Sequence, residues 1–189
     1  MVATREAGGV SRRLWTRKEY ERMGEVGTIG PEERTELIDG VIYRMAPLRS
    51  RGASTIHIAR DVLAQAFGAG TYVRIQAPIV LGDFSEPEPD LAVVEGAVRD
   101  HLDYHPTTAL LVVEVSDTTV AFDRRVKGRL YAAAGLPEYW ILNLQRNQLE
   151  VHRDPSPTGY QSVTILKRRD TVCPLARPDA SISVADLLP

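Results

Sequence analysis

The chain has 189 residues, enough for one well-buried core and short for two, and its 43% hydrophobic and 25% charged content excludes a fibre or a globally disordered chain. A formal charge of −2 excludes non-specific coating of nucleic acid, which needs many Lys and Arg contacts to phosphate, but leaves room for a local basic groove or a metal-bridged phosphate. One cysteine, Cys173, excludes an internal disulfide and a Cys-rich zinc site and fits a reducing compartment.

Residues 1–13 are small, polar and charged, and read as a flexible tail ahead of a single ordered domain over 14–189. They carry no apolar stretch, so neither signal peptide nor anchor is expected. The longest apolar run, 109–113, is far below the roughly 18 residues that span a bilayer. A cytoplasmic protein without a membrane partner is the expectation.

Thr16 and Glu19, three apart, form a capping box that opens a short helix. Asp39-Gly40 lies between apolar pairs in Glu36-Leu-Ile-Asp-Gly-Val-Ile-Tyr43, the pattern of a tight hairpin. Over 51–67 the apolar residues recur every three to four positions and Gly68 closes the pattern, which predicts an amphipathic helix. Residues 71–76 and 79–81 read as strands broken at Pro78, and 83–89 as an acidic, Pro-rich loop. The apolar, β-branched stretches 90–94 and 109–115 predict two buried central strands. A helix over 123–134, ended by Gly135 and Pro137, leads to a strand at 139–142, so a strand–helix–strand crossover is expected. Strands near 149–153, 160–166 and 171–174 complete a C-terminal meander. The fold class is α/β (α+β): one mixed sheet with helices packed on it, an N-terminal hairpin and a C-terminal meander.

The chemistry concentrates in three residues. Glu114 lies within Leu-Leu-Val-Val-Glu-Val on the same face as Leu110 and Val112, and a bare carboxylate in so apolar a strand costs several kcal/mol without a compensating partner. Asp90 opens the other central strand and brings a second carboxylate to the same sheet edge if the strands are neighbours. Two converging carboxylates repel unless a metal lies between them. Lys127 follows Glu114 by one loop and one helical turn, within reach of the strand end as a general base or charge stabiliser. The competing reading is a buried structural Glu114–Lys127 ion pair with Asp90 as a turn cap. Three coincident residues at strand ends favour the active-site reading.

The stretches Glu36-Leu-Ile-Asp-Gly, Pro89-Asp-Leu-Ala-Val-Val, Leu-Val-Val-Glu114-Val-Ser, Asp123-Arg-Arg-Val-Lys127 and Leu-Tyr-Ala-Ala-Ala-Gly-Leu-Pro-Glu-Tyr-Trp-Ile-Leu142 together resemble the Uma-two family of restriction endonucleases, in the PD-(D/E)XK nuclease superfamily. The resemblance runs from about Trp15 to Leu188. It implies a restriction-endonuclease-like core in which Asp90 and Glu114 hold magnesium, with manganese as the other candidate, and a lysine positions the attacking water. The superfamily's lysine position, two after Glu114, is Ser116 here, so the role passes to Lys127 on the following helix. Glu36 matches the family's N-terminal acidic position and is a further metal ligand on that ground, with an exposed strand-leading Glu as the alternative. His57 also matches a family position and is expected beside the ligands rather than among them.

His101 and His105 are four apart but lie in a loop before Pro106 without the HExxH glutamate, and read as solvent-side. Arg124, Arg125 and Arg129, or Arg49, Arg51 and Arg74, are candidates for a phosphate groove, against the simpler reading of solvated faces. No phosphate loop, GxGxxG fingerprint or GxSxG elbow is present. The leading expectation is a magnesium-dependent endonuclease acting on nucleic acid, DNA foremost, and by analogy a homodimer. The alternative is an inactive nuclease-fold module that binds protein or nucleic acid through Tyr139, Trp140 and the meander, although Tyr139-Trp-Ile-Leu reads more simply as an inner strand of the core.

Overall fold

The computed structural model describes residues 4–7 and 10–189. Strands β1 (Thr4–Ala7) and β2 (Val10–Arg13) pair antiparallel where a tail was expected. Residues 1–3, 8 and 9 lie outside the described residues. Helix α1 (Arg17–Glu25) opens with the expected box: the Thr16 side chain accepts from the Glu19 N–H, and Glu19 accepts from the Thr16 N–H at 2.9 Å.

Strands β3 (Thr35–Ile38) and β4 (Val41–Arg44) form the Asp39-Gly40 hairpin, whose two turn residues take φ values of 48° and 75°. Both being positive is what a tight primed turn demands. Helix α2 (Ser50–Phe67) ends at Gly68, as the periodicity predicts.

A six-stranded sheet is the centre of the fold, in the order β10-β9-β8-β7-β6-β5. Its strands are β5 (Thr71–Ile75), β6 (Leu91–Glu95), β7 (Leu111–Ser116), β8 (Glu138–Asn143), β9 (Gln148–Ser156) and β10 (Gly159–Lys167). Only β7 and β8 run parallel, joined by the expected crossover; every other neighbouring pair is antiparallel. That crossover is continuous helix of changing pitch: α3 (Val120–Phe122), a π-turn (Asp123–Lys127) and α4 (Gly128–Ala133).

The alternation of side chains divides the core in two. Leu111, Val113 and Val115 of β7 pack with Ile56, Ala59 and Leu63 of α2 on one face, while Val112 packs with Leu130 and Tyr131 of α4 on the other. Both faces are covered, which is why β6 and β7 read as continuous apolar runs.

Two expectations need correction. Residues 79–81 form no strand: Ile79, Val80 and Leu81 donate to loop carbonyls of Pro87, Pro106 and Ser85, because Pro78 interrupts the ladder. The third meander strand, β11 (Thr171–Val172), does not join β10 but pairs with β12 (Ile182–Ser183), just before α5 (Val184–Leu187). No described helix is long and apolar enough to cross a membrane.

Candidate active site

Antiparallel pairing of β6 with β7 sets Leu91 opposite Val113, so Asp90, one residue before β6, meets the last residues of β7. The contact is direct: the Val115 N–H donates to Asp90 Oδ2 at 2.8 Å and the Asp90 N–H to Glu114 Oε2 at 3.4 Å. The Gln76 side chain donates to Asp90 Oδ1 at 3.4 Å from the turn after β5.

Glu114 points to the α4 side of the sheet, where Lys127 Nζ donates to its Oε1 at 2.9 Å and Tyr131 Oη to the same oxygen at 2.9 Å. Lys127 Nζ also donates to Glu36 Oε1 at 3.0 Å, which ties the β3 hairpin to the crossover helix. The four residues singled out in the sequence, Glu36, Asp90, Glu114 and Lys127, therefore converge. Lys127, Glu36 and Glu114 are each no more than 3% exposed.

Burial dominates the electrostatics. It pushes the Glu114 carboxyl well above its ordinary range despite Lys127, and Asp90, Asp123 and Glu36 add to the upward push. Glu36 and Asp90 are raised for the same first reason, with Lys127 opposing in both. Burial works against the Lys127 ammonium, but Glu114 and Glu36 outweigh it and hold its pKa above the ordinary lysine value. One ammonium does not offset the carboxylates around it.

The cluster opens into a cavity of ≈ 400 Å³ whose walls include Glu36, Glu88, Asp90, Glu114, Asp117 and Asp123 against Arg34, Arg49 and Lys127. Six carboxylates face three cations there. The residues 45–49, ahead of α2, form its rim.

Among the described residues no three His, Cys, Asp or Glu side chains form a ready-made metal cage, because the carboxylates are drawn onto Lys127 and backbone N–H groups. The donor set nevertheless fits a small, hard divalent cation. Its acidic groups offer only oxygen, they outnumber the cations, and Glu36 Oε2 is buried with no hydrogen-bond partner.

The sequence profile of the Uma2 family, described as "Putative restriction endonuclease", matches residues 17–185. The chain belongs to this family. Its fold is similar to that in the crystal structure of a protein described as a putative nuclease belonging to DUF820 from Anabaena variabilis, with a TM-score of 0.71 and 14% identity. That likeness covers 91% of this chain and 96% of the other. No curated protein matches.

The other histidines, arginines and aromatics of interest lie around the ion cluster or apart from it. His57 is on the exposed face of α2 and does not line the cavity. Arg124 is no open phosphate ligand, since its guanidinium grips Glu150 through Nε and Nη2, each at 2.6 Å. Arg51 donates to Asn147, and Arg74 to Tyr72 and His105, while Arg49 does line the cavity. His101 accepts from or donates to Tyr72 Oη at 2.9 Å, outside the cluster. Tyr139 and Trp140 are 0% exposed and offer no binding surface.

Three site residues carried no readable signal. Asp123 is buried and accepts from Thr119 Oγ1 at 2.7 Å and from Ser116 Oγ, so Ser116 holds an acid at the cavity wall. Tyr131 reads in the sequence as helical core, and Glu88 as one more acid in a Pro-rich loop. Only the pairing of distant segments reveals them.

Proposed function

We propose that the chain is a metal-dependent nuclease that hydrolyses phosphodiester bonds, with DNA as substrate. The observation that carries this reading is the convergence of Glu36, Asp90 and Glu114 around one lysine at the wall of an open cavity. Phosphate does not enter such a cavity unaided, and a divalent cation reverses the local field.

Asp90 and Glu114 would hold magnesium or manganese, with Glu36 as a third contributor. The bound metal would supply an activated water and neutralise charge developing on the phosphate. Tyr131 and Lys127 fix Glu114 through Oε1, leaving Oε2 toward Asp90. Lys127, kept charged by two carboxylates, acts as an electrostatic stabiliser rather than as a base. Arg34 and Arg49 at the cavity wall are the groups available to the flanking phosphates. A symmetric dimer would bring two such sites to two strands, and sedimentation equilibrium reads that state directly.

The test is titration of magnesium and manganese, followed by calorimetry, into the wild type, Asp90→Ala and Glu114→Ala, with plasmid nicking on the same samples. Metal binding and nicking lost together in both variants is the expected result. Folded wild-type protein with neither activity would leave Lys127 and Glu114 as a structural ion pair and end the nuclease reading.

A further inference from the structure

Parallel pairing sets Glu114 of β7 opposite Ile141 of β8, and antiparallel pairing sets Ile141 opposite Glu150 of β9. Glu114 and Glu150 thus share one row and one face of the sheet, two strands apart, or about 10 Å at the usual strand spacing. The π-turn lies across this row. Its Lys127 reaches Glu114, and its Arg124, three residues earlier, reaches Glu150.

The two ends of the row are built differently. Glu150 is 1% exposed and receives Arg124 as a two-pronged fork, Asn143 Nδ2 at 2.9 Å and Gln148 Nε2 at 3.2 Å. It is fully satisfied within the protein. A planar guanidinium meeting a carboxylate through two parallel bonds fixes orientation as well as distance, which an ammonium does not. Across the row, Glu114 faces a cavity with more negative charge than Lys127 offsets.

The π-turn itself needs such an anchor. Wide π-turns are rare and are found mostly as single turns at functional sites. This one is closed by the Gly128 N–H donating to the Asp123 carbonyl, and it carries both Asp123 and Lys127 into the site. Relaxation to α pitch would rotate Lys127 off Glu114.

We infer that Arg124 and Glu150 are positioning residues for the active site: their fork pins the π-turn to the sheet and thereby places Lys127 over Glu114. The inference rests on the nuclease reading for its catalytic consequence, but not for its geometry.

The test uses the full chain, with Glu150→Gln and Arg124→Lys, which keep size and some hydrogen bonding while breaking the fork. A second arm uses the exchanged pair Arg124→Glu with Glu150→Arg. The direct readout is the Lys127 Nζ resonance by nitrogen-15 NMR, recorded without metal or nucleic acid, together with hydrogen exchange at the Gly128 amide. We expect the resonance to shift or broaden and Gly128 exchange to accelerate in both single variants, with partial return in the exchanged pair. On DNA, kcat should fall by up to about 10²-fold with KM nearly unchanged, the usual consequence of misplacing a catalytic group by about an ångström. An unchanged Lys127 resonance and unchanged Gly128 exchange in folded Glu150→Gln and Arg124→Lys would overturn the inference and leave the fork as a stabilising contact. A wild type that does not cut DNA defeats the nuclease reading alone, since the spectroscopic arm is read without substrate.

Discussion

Glu114 and Glu150 occupy the same row of the sheet, joined through Ile141, and their carboxyls are displaced in opposite directions. Burial opposes ionisation of both. At Glu150 hydrogen bonds from Arg124, Asn143 and Gln148 outweigh it and lower the pKa, whereas at Glu114 nothing does and the pKa is raised well above 4.5. Two equal groups in one row are thus held in opposite electrostatic environments.

A pH dependence of stability follows, and its sign differs between these groups. Glu36 and Glu114, ordinarily at 4.5, and Asp90, ordinarily at 3.8, have raised folded values, so each contributes stability below its ordinary value and loses it as pH rises through the folded value. Glu150 runs the other way: its contribution is present above 4.5 and is lost as pH falls through its lowered value. Lys127 stays charged below 10.5 and does not contribute to the trend. As pH rises from about 4.5 through the raised folded values, the metal-free protein should therefore lose thermal stability at the cluster. Magnesium or manganese at a hundredfold excess over Kd should restore about 2.7 kcal/mol near pH 8, roughly 5–10 °C in Tm, and less near pH 5 where protons compete. Scanning calorimetry across that range, with and without metal, reads both trends; a metal-insensitive Tm at pH 8 would count against the site.

Lys127 is the residue whose loss leaves most behind. Lys127→Met removes the ammonium but keeps the length of the stem, leaving Glu36 and Glu114 buried without their cation. Breaking a buried pair in this way costs about 3–5 kcal/mol, and urea denaturation near neutral pH should show it. Adding Glu114→Gln should recover part of that loss, because the second uncompensated charge is then gone too. Nicking should be lost in both variants, so stability and activity would respond differently to the second change.

The central strands, the hairpin and the crossover were legible because their signals are local: β-branched apolar runs at β6 and β7, Asp39-Gly40 with two positive φ values, and a capped helix leading to β8. Glu114 was legible as a charge in a strand that is otherwise apolar, and Asp90 as the acid that opens its neighbour. Arg124 was not, since an arginine on a helix gives the same signal whether it faces solvent, phosphate or a buried glutamate, and Glu150 lies 26 residues away. The π-turn was also hidden: its residues suit an ordinary helix, and only the need to reach Glu114 and Glu150 at once distinguishes them. Residues 79–81 misled because apolar, β-branched composition is shared by strands and by loops that are buried against a core; Ile79 is 0% exposed but pairs with no strand.

Gly40 connects the outlying hairpin to this chemistry. At a φ of 75°, its backbone donates to the Phe84 carbonyl at 2.7 Å and accepts from the Trp15 N–H at 2.9 Å, and a Cβ added there would meet the Leu14 Cβ at 2.5 Å. Gly40→Ala should destabilise by more than about 1 kcal/mol through the left-handed conformation alone, with the clash adding to it. Because β3 carries Glu36, the loss should appear in metal affinity as well as in the urea midpoint. An unchanged midpoint would mean that the turn relaxes freely.

Glu36 offers the sharpest division between a structural and a metal-binding carboxylate. Its Oε1 accepts from Lys127 at 3.0 Å, while Oε2 is buried with no partner, an arrangement that costs roughly 1–3 kcal/mol unless something occupies it. Glu36→Gln keeps its oxygen for Lys127 and replaces the unpartnered oxygen with an amide NH2 group, which cannot bind a cation. If Oε2 serves only the fold, the variant should match the wild type in manganese affinity. If it helps hold the metal, manganese affinity by calorimetry should fall by about tenfold or more, the range typical when a metal site loses a supporting group. The metal-free protein should at the same time gain stability near pH 8, because one of the carboxylates that opposes folding there has lost its charge.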